Sequence, residues 1–96
     1  MPHYIILFNF TDEGLRNVKD TIRRAEAFKA AVEKAGGKFV SEYYTFGRYD
    51  IVTTVEAPDD QTMMSIMLST GSLGNVRSET LKAFSMSEAG KVIERV

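Results

Sequence analysis

The sequence has no cysteine, which removes disulfides, thiol catalysis and cysteine-type zinc or iron sites together and leaves a reducing compartment permitted. Its single histidine, His3, cannot build a His-rich metal site, and no cofactor motif is present, so neither metal nor cofactor is expected. Charge is not in excess: 12 basic residues against 13 acidic ones give a net charge of −1. Such a chain has no long-range field to draw in a phosphate backbone or an anionic membrane, and neither is an expected partner. Long hydrophobic runs are missing as well. Tyr4 to Phe8 is too short to span a bilayer, and no basic n-region or small-residue cleavage site accompanies it. Cytoplasmic residence is the expectation that follows. Repeats, linkers and low-complexity stretches are likewise absent.

What is present reads as one folded domain over residues 1–96, with 44% hydrophobic and 26% charged residues, near the averages for soluble domains. In the first strand, Tyr4, Ile6, Phe8 and Phe10 alternate with His3, Ile5, Leu7 and Asn9, so both faces are largely apolar. That pattern predicts a central strand covered on both sides, or one facing another chain. A helix is expected from Thr21, as N-cap, to Ala35, with Gly36 closing it. Ile22, Ala25, Phe28, Val32 and Ala35 form its apolar stripe, and Lys29 and Glu33 an i,i+4 pair.

Lys38 to Phe46 and Ile51 to Ala57 read as two strands joined by the hairpin loop Gly47-Arg48-Tyr49-Asp50. Asp59 is placed to cap a second helix that ends near Gly71, with Met63, Met64, Ile66, Met67 and Leu68 as its apolar face. A fourth strand over Val76 to Phe84 follows, and Ser87 is the expected cap of a short final helix. The order β-α-β-β-α-β predicts an α+β, ferredoxin-like fold: a four-stranded antiparallel sheet with two helices on one face and a short C-terminal helix. With the helices on one face, Tyr4, Phe8, Val55 and Leu81 leave the other too apolar for water. A homodimer or higher homo-oligomer is therefore expected.

Several stretches together resemble the GYD domain family. They are Lys19-Asp20-Thr21 with Arg24-Ala25-Glu26-Ala27, Gly47-x-Tyr49-Asp50, Glu56-Ala57-Pro58-Asp59-Asp60, and the run from Gly71 to Leu81. The chain departs from the pattern at Ile22, where a proline is common just after the helix cap. The resemblance implies a ferredoxin-like domain of the dimeric α/β-barrel kind, in which two four-stranded sheets face each other, and it implies no particular reaction.

The candidate ligand-binding residues are Arg77, Glu79, Tyr49 and Asp50. Arg77 and Glu79 lie two apart on a strand and so share a sheet face, opposite Ser78 and Thr80. Such a pair can anchor an anionic ligand beside a general base, or bridge two subunits. Tyr49 and Asp50 could present a phenol and an acid at the rim of a cleft, although turn chemistry accounts for both: the ring packs, and the carboxylate accepts backbone hydrogen bonds. Gly71-Ser72-Leu73-Gly74-Asn75 follows a helix C-terminus, where exposed carbonyls repel phosphate, so it reads as a helix-ending turn. His3 reads as a strand-end surface residue. Two functions fit these features: an oligomeric α/β-barrel binding a small molecule in a cleft, or a non-catalytic assembly or regulatory module whose motifs serve fold and subunit contacts.

Overall fold

Alternating aromatic and β-branched residues carry the first strand into the middle of the sheet. The computed structural model describes residues 1–96, in the order β1 (His3–Phe10), α1 (Asp12–Arg16), a 3-10 turn (Val18–Asp20), α2 (Thr21–Lys34), β2 (Lys38–Tyr44), β3 (Ile51–Glu56), α3 (Asp60–Ser72), β4 (Val76–Ala83) and α4 (Met86–Ile93). The strands pair antiparallel in the order β2-β3-β1-β4, which is the ferredoxin-like α+β arrangement read from the sequence.

Tyr4, Ile6 and Phe8 of β1, with Ile51 and Val55 of β3, are buried against Phe28 and Val32 of α2 and Met63 and Ile66 of α3. Phe28 stands edge-on to Phe8 at 5.8 Å and to Phe39 at 6.3 Å, the geometry that aromatic quadrupoles prefer. Thr53 is the one buried polar side chain; it is satisfied by donating to Glu42 Oε1 at 2.8 Å.

Several expectations are corrected. Tyr4, Phe8 and Val55 belong to the helix-covered core. The uncovered face is instead built from Ile5 and Leu7, the β3 residue Val52, and Leu81, which pairs opposite Ile5. The apolar excess on that face is real, but of the four residues named from the sequence only Leu81 contributes to it. Ile22, Met64 and Leu68 are all more than half exposed, because each helix is wider in apolar residues than the strip of sheet beneath it. Thr21 is already in helical conformation, and Asp20 precedes it without a side-chain capping bond. The 3-10 turn delivers the chain to α2 pre-wound, which makes a polar cap dispensable. Asp59 does cap α3, accepting from Thr62 N–H at 2.8 Å, whereas Ser85 rather than Ser87 caps α4, in a reciprocal box with Glu88. Lys29 lies 6.0 Å from the centre of the Phe39 ring and makes no ion pair with Glu33.

One irregularity redirects side chains. Phe39 pairs with Val55 and Ser41 with Thr54, so Val40 is an extra, bulged residue. The shift turns Glu42 and Tyr44 toward the helices and Tyr43 toward the open face, reversing the alternation that would run on from Phe39.

Gly14 is buried in α1 because a Cβ there would lie 2.0 Å from the backbone oxygen of Asn75. Gly14→Ala forces α1 off the α3–β4 turn, and by the usual cost of overpacking it destabilises the fold by about 3 kcal/mol. At the roughly 4–8 °C per kcal/mol typical of a domain this size, thermal denaturation followed by circular dichroism should show a midpoint at least ~10 °C lower. An unchanged midpoint would mean that the α1 contact is not made in solution.

Candidate functional site

Two turns converge on the C-terminal end of β1. Asp50 donates its backbone N–H to Phe8 O at 2.9 Å, its Oδ2 accepts from Phe10 N–H at 2.9 Å, and Asn9 Nδ2 donates to Arg48 O at 2.9 Å. Gly47 takes φ +119°, a conformation that favours glycine. Thr45 closes the loop by donating Oγ1 to Tyr49 O at 2.5 Å and N–H to Asp50 O at 2.8 Å. The hairpin is thus fastened to the neighbouring strand by its own Asp50.

This fastening positions the candidate residues on the open sheet face. Asn9 pairs opposite Arg77 and Leu7 opposite Glu79. A depression of about 300 Å³ there is lined by Leu7, Asn9, Arg48, Tyr49, Arg77 and Glu79, with Ser78 at its edge. Arg48 sits 5.8 Å from the centre of the Tyr49 ring, near the outer limit of a cation–π contact. Arg77, Glu79 and Tyr49 are therefore brought together. Asp50 is not among the lining residues, its carboxylate being turned to the β1 backbone. Arg77 and Glu79 are exposed and lie outside ion-pair distance of each other, so both charges are available to a ligand or a neighbouring molecule.

At the opposite end of the open face His3 lies 3.8 Å from Glu56 and 3.2 Å from Glu88, tying the start of α4 to β1 and β3. His3 is half-buried in this cluster rather than a free surface residue. The Glu88 carboxyl is held below the usual carboxylate range, first by the backbone N–H of Ser85. No group of three or more His, Asp or Glu side chains is placed to hold a metal ion, and no helix is long and apolar enough to cross a membrane.

A polar cluster on the helix side has no signature in the sequence. Tyr4 donates its hydroxyl to Asp60 Oδ1, and Lys82 Nζ lies 3.1 Å from both carboxylate oxygens. Burial, and then the bond to Asp60, push the Tyr4 phenol up to about 12. The same bond, followed by Lys82, lowers the Asp60 carboxyl. Tyr4 and Asp60 are 56 residues apart, so only the folded register could reveal the pair.

The GYD domain family model matches residues 4–93. A protein of Thermus thermophilus named glutamine synthetase and cystathionine beta-lyase binding protein is 35% identical over 89 residues, covering 92% of this chain and 94% of its own. Among solved structures, one from Thermus thermophilus superposes with a TM-score of 0.56 at 24% identity, over 88% of this chain and 95% of that one. MtbAldR superposes with a TM-score of 0.68 at 13% identity over 88% of this chain. The chain spans about half of MtbAldR, 53% of its length, and these two likenesses concern the fold alone.

The Tyr4 to Asp60 bond has opposite consequences at the two ends of the pH scale. Asp60 titrates lower when folded, so its contribution is present above the ordinary value of 3.8 and is lost as pH falls through the folded value. Tyr4 titrates higher when folded, so its contribution is complete below 10 and is lost as pH rises toward about 12. Tyr4→Phe should lower stability near neutrality by about 1 kcal/mol and flatten both limbs of a plot of melting temperature against pH. Parallel wild-type and variant curves would show that the bond does not form.

Proposed function

The chain belongs to the GYD domain family, and we propose that it is a non-catalytic binding module that assembles through its open sheet face. The observation that carries this reading is that face itself. Ile5, Leu7, Val52 and Leu81 form a continuous apolar surface with no helix over it, and Tyr43 stands beside it, mostly exposed. An apolar surface of this kind rimmed by polar groups is characteristic of an interaction site. The occupant is a second copy of the chain. In a two-fold contact each patch meets itself, and Arg77 and Glu79 provide opposite charges from one strand that can pair across the axis.

The assembled module then holds a partner protein. Support comes from the relative of 35% identity, whose name assigns it binding to glutamine synthetase and cystathionine beta-lyase. We extend to this chain the class of partner, an enzyme of amino-acid metabolism. A second reading rests on the depression that gathers Arg77, Glu79 and Tyr49: a small anionic molecule bound at the rim of the subunit contact, with Asp50 fixing the hairpin that carries Tyr49. Here Arg77→Ala should abolish any thermal stabilisation by carboxylate metabolites while the fold survives, and shifts that persist unchanged would remove this reading.

Leu81 is 43% exposed in one chain, so Leu81→Arg should cost the isolated fold no more than about 0.5 kcal/mol while placing a charge in the contact. Light scattering at micromolar concentration should give a dimer or larger assembly for the wild type and a folded monomer for the variant. A monomeric wild type would sink the assembly. Surface plasmon resonance against purified glutamine synthetase and cystathionine beta-lyase tests the partner class, with no response to either counting against it.

A further inference from the structure

The largest cavity lies on the helix-covered side of the sheet, away from the open face. It occupies about 510 Å³ between α2, α3 and the sheet, within the range of small-molecule sites. Its walls are apolar, with Phe8, Phe28, Ile51 and Ile66 at the base. It is open to solvent on one side, so a ligand can enter it without any rearrangement of the helices.

Polar groups line it on both sides, Arg24, Glu42 and Tyr44 from α2 and β2 and Ser65, Ser69 and Thr70 from α3. Arg24 Nη1 donates to Asn17 O at 3.1 Å, but Arg24 Nη2 is buried and has no partner. A buried donor of a charged group left unsatisfied is expensive, and native structures rarely keep one without an unaccounted acceptor. Glu42 also lines the cavity; its Oε1 accepts from Thr53, and it forms no ion pair with Arg24. Tyr44 lines the cavity as well, its hydroxyl 3.3 Å from Thr21 Oγ1. The phenol is raised from its ordinary value, first by burial, with Glu42 raising it further and Arg24 opposing, as expected for a group near both charges. Glu42 and Tyr44 face inward only because of the Val40 bulge. Bulges commonly re-aim side chains beside binding sites.

We infer that this cavity is a binding site for a small carboxylic acid with an apolar, preferably aromatic, body and a hydroxyl or amine next to the carboxylate. The carboxylate pairs with the Arg24 guanidinium, the usual partner of such a group. The adjacent donor meets Glu42 or Tyr44, and without it the Glu42 charge would repel an anion. The body packs against the apolar lining supplied by Ala25, Phe28, Ile66 and Leu73. The site is independent of the subunit assembly, because neither Arg24 nor Glu42 lies on the open sheet face.

The test is calorimetric titration of the full chain with phenyllactate, phenylalanine, 3-phenylpropionate and phenylalaninamide, alongside backbone amide NMR. Phenyllactate or phenylalanine should bind and shift the amides of Phe28, Ile66 and Ser69. The compound lacking the neighbouring donor and the one lacking the carboxylate should each bind at least about tenfold more weakly. Arg24→Gln should weaken binding by a similar factor. Should that variant misfold, as circular dichroism would reveal, Ser69→Phe fills the cavity from the exposed α3 side without touching Arg24 and should abolish binding. No binding of any compound at millimolar concentration would overturn the assignment. So would shifts confined to Arg77 and Tyr49, or affinity unchanged in a folded Arg24→Gln or in Ser69→Phe. Light scattering on the same variants should show the wild-type assembly, which separates failure of this site from failure of the subunit contact.

Discussion

The end of β1 is the point on which the rest of the architecture depends. Beyond Phe8 the central strand loses its β3 partner while staying paired with β4 to Phe10, and the freed backbone groups are taken over by two distant turns. The hairpin satisfies Phe8 O and Phe10 N–H through Asp50. The α3–β4 turn satisfies Thr11 N–H through Asn75 O at 3.1 Å, and Thr11 Oγ1 donates to Gly74 O at 2.5 Å while accepting from Gly14 N–H. Buried or half-buried backbone groups need such partners. The two segments that dominate the sequence pattern, Gly47 to Asp50 and Gly74 to Asn75, are thus the two jaws of one clamp. This explains why glycine, asparagine and aspartate recur there without any reaction being implied.

Much of this is legible in the sequence because it is local. Helix α2 follows from a 3.6-residue stripe, the cap of α3 from Asp59, and the shared face of Arg77 and Glu79 from the two-residue period of a strand. Other features depend on register, which local periodicity does not encode. Nothing marks Val40 as a bulge, since valine suits a regular strand equally well, yet it decides that Glu42 and Tyr44 face the helices. The double apolar character of β1 announces a central strand covered on both faces or facing another chain, but composition alone does not tell which alternate set meets the helices. Hence the pattern places Tyr4, Phe8 and Val55 on the wrong side of the sheet. The expected cap of α4 falls two residues late because Ser85 and Ser87 are both capping residue types at the start of one segment; Glu88, three residues after Ser85, is the signal that separates them.

The proportions of the molecule bear on its partners. Twelve of 96 residues are buried, α4 contributes none of them, and the radius of gyration of 14.3 Å exceeds the roughly 13 Å of a compact domain of 100 residues. A core this thin on one side of the sheet leaves apolar surface on the other side and along α4, where Val92 and Ile93 are exposed. Hydrophobic burial is the main favourable term in both folding and association, so surface left over from the first is available to the second.

The strands that bound the sheet disfavour association through its edges. Antiparallel sheets can grow by adding strands at an edge, and natural proteins discourage this with bulges and charges. The outer strand β2 carries the Val40 bulge and begins at Lys38. The other outer strand, β4, carries Arg77, Glu79 and Lys82, and is followed directly by α4. Both edges are therefore poor templates, while the apolar set centred on Ile5, Leu7 and Val52 has no such protection. The same division separates two kinds of contact by sheet face. The apolar set of Ile5, Leu7 and Val52 lies on the open side, whereas the cleft lined by Arg24 and Glu42 lies on the helix side. β1 and β3 supply alternate residues to both sides, so the same two strands shape both surfaces.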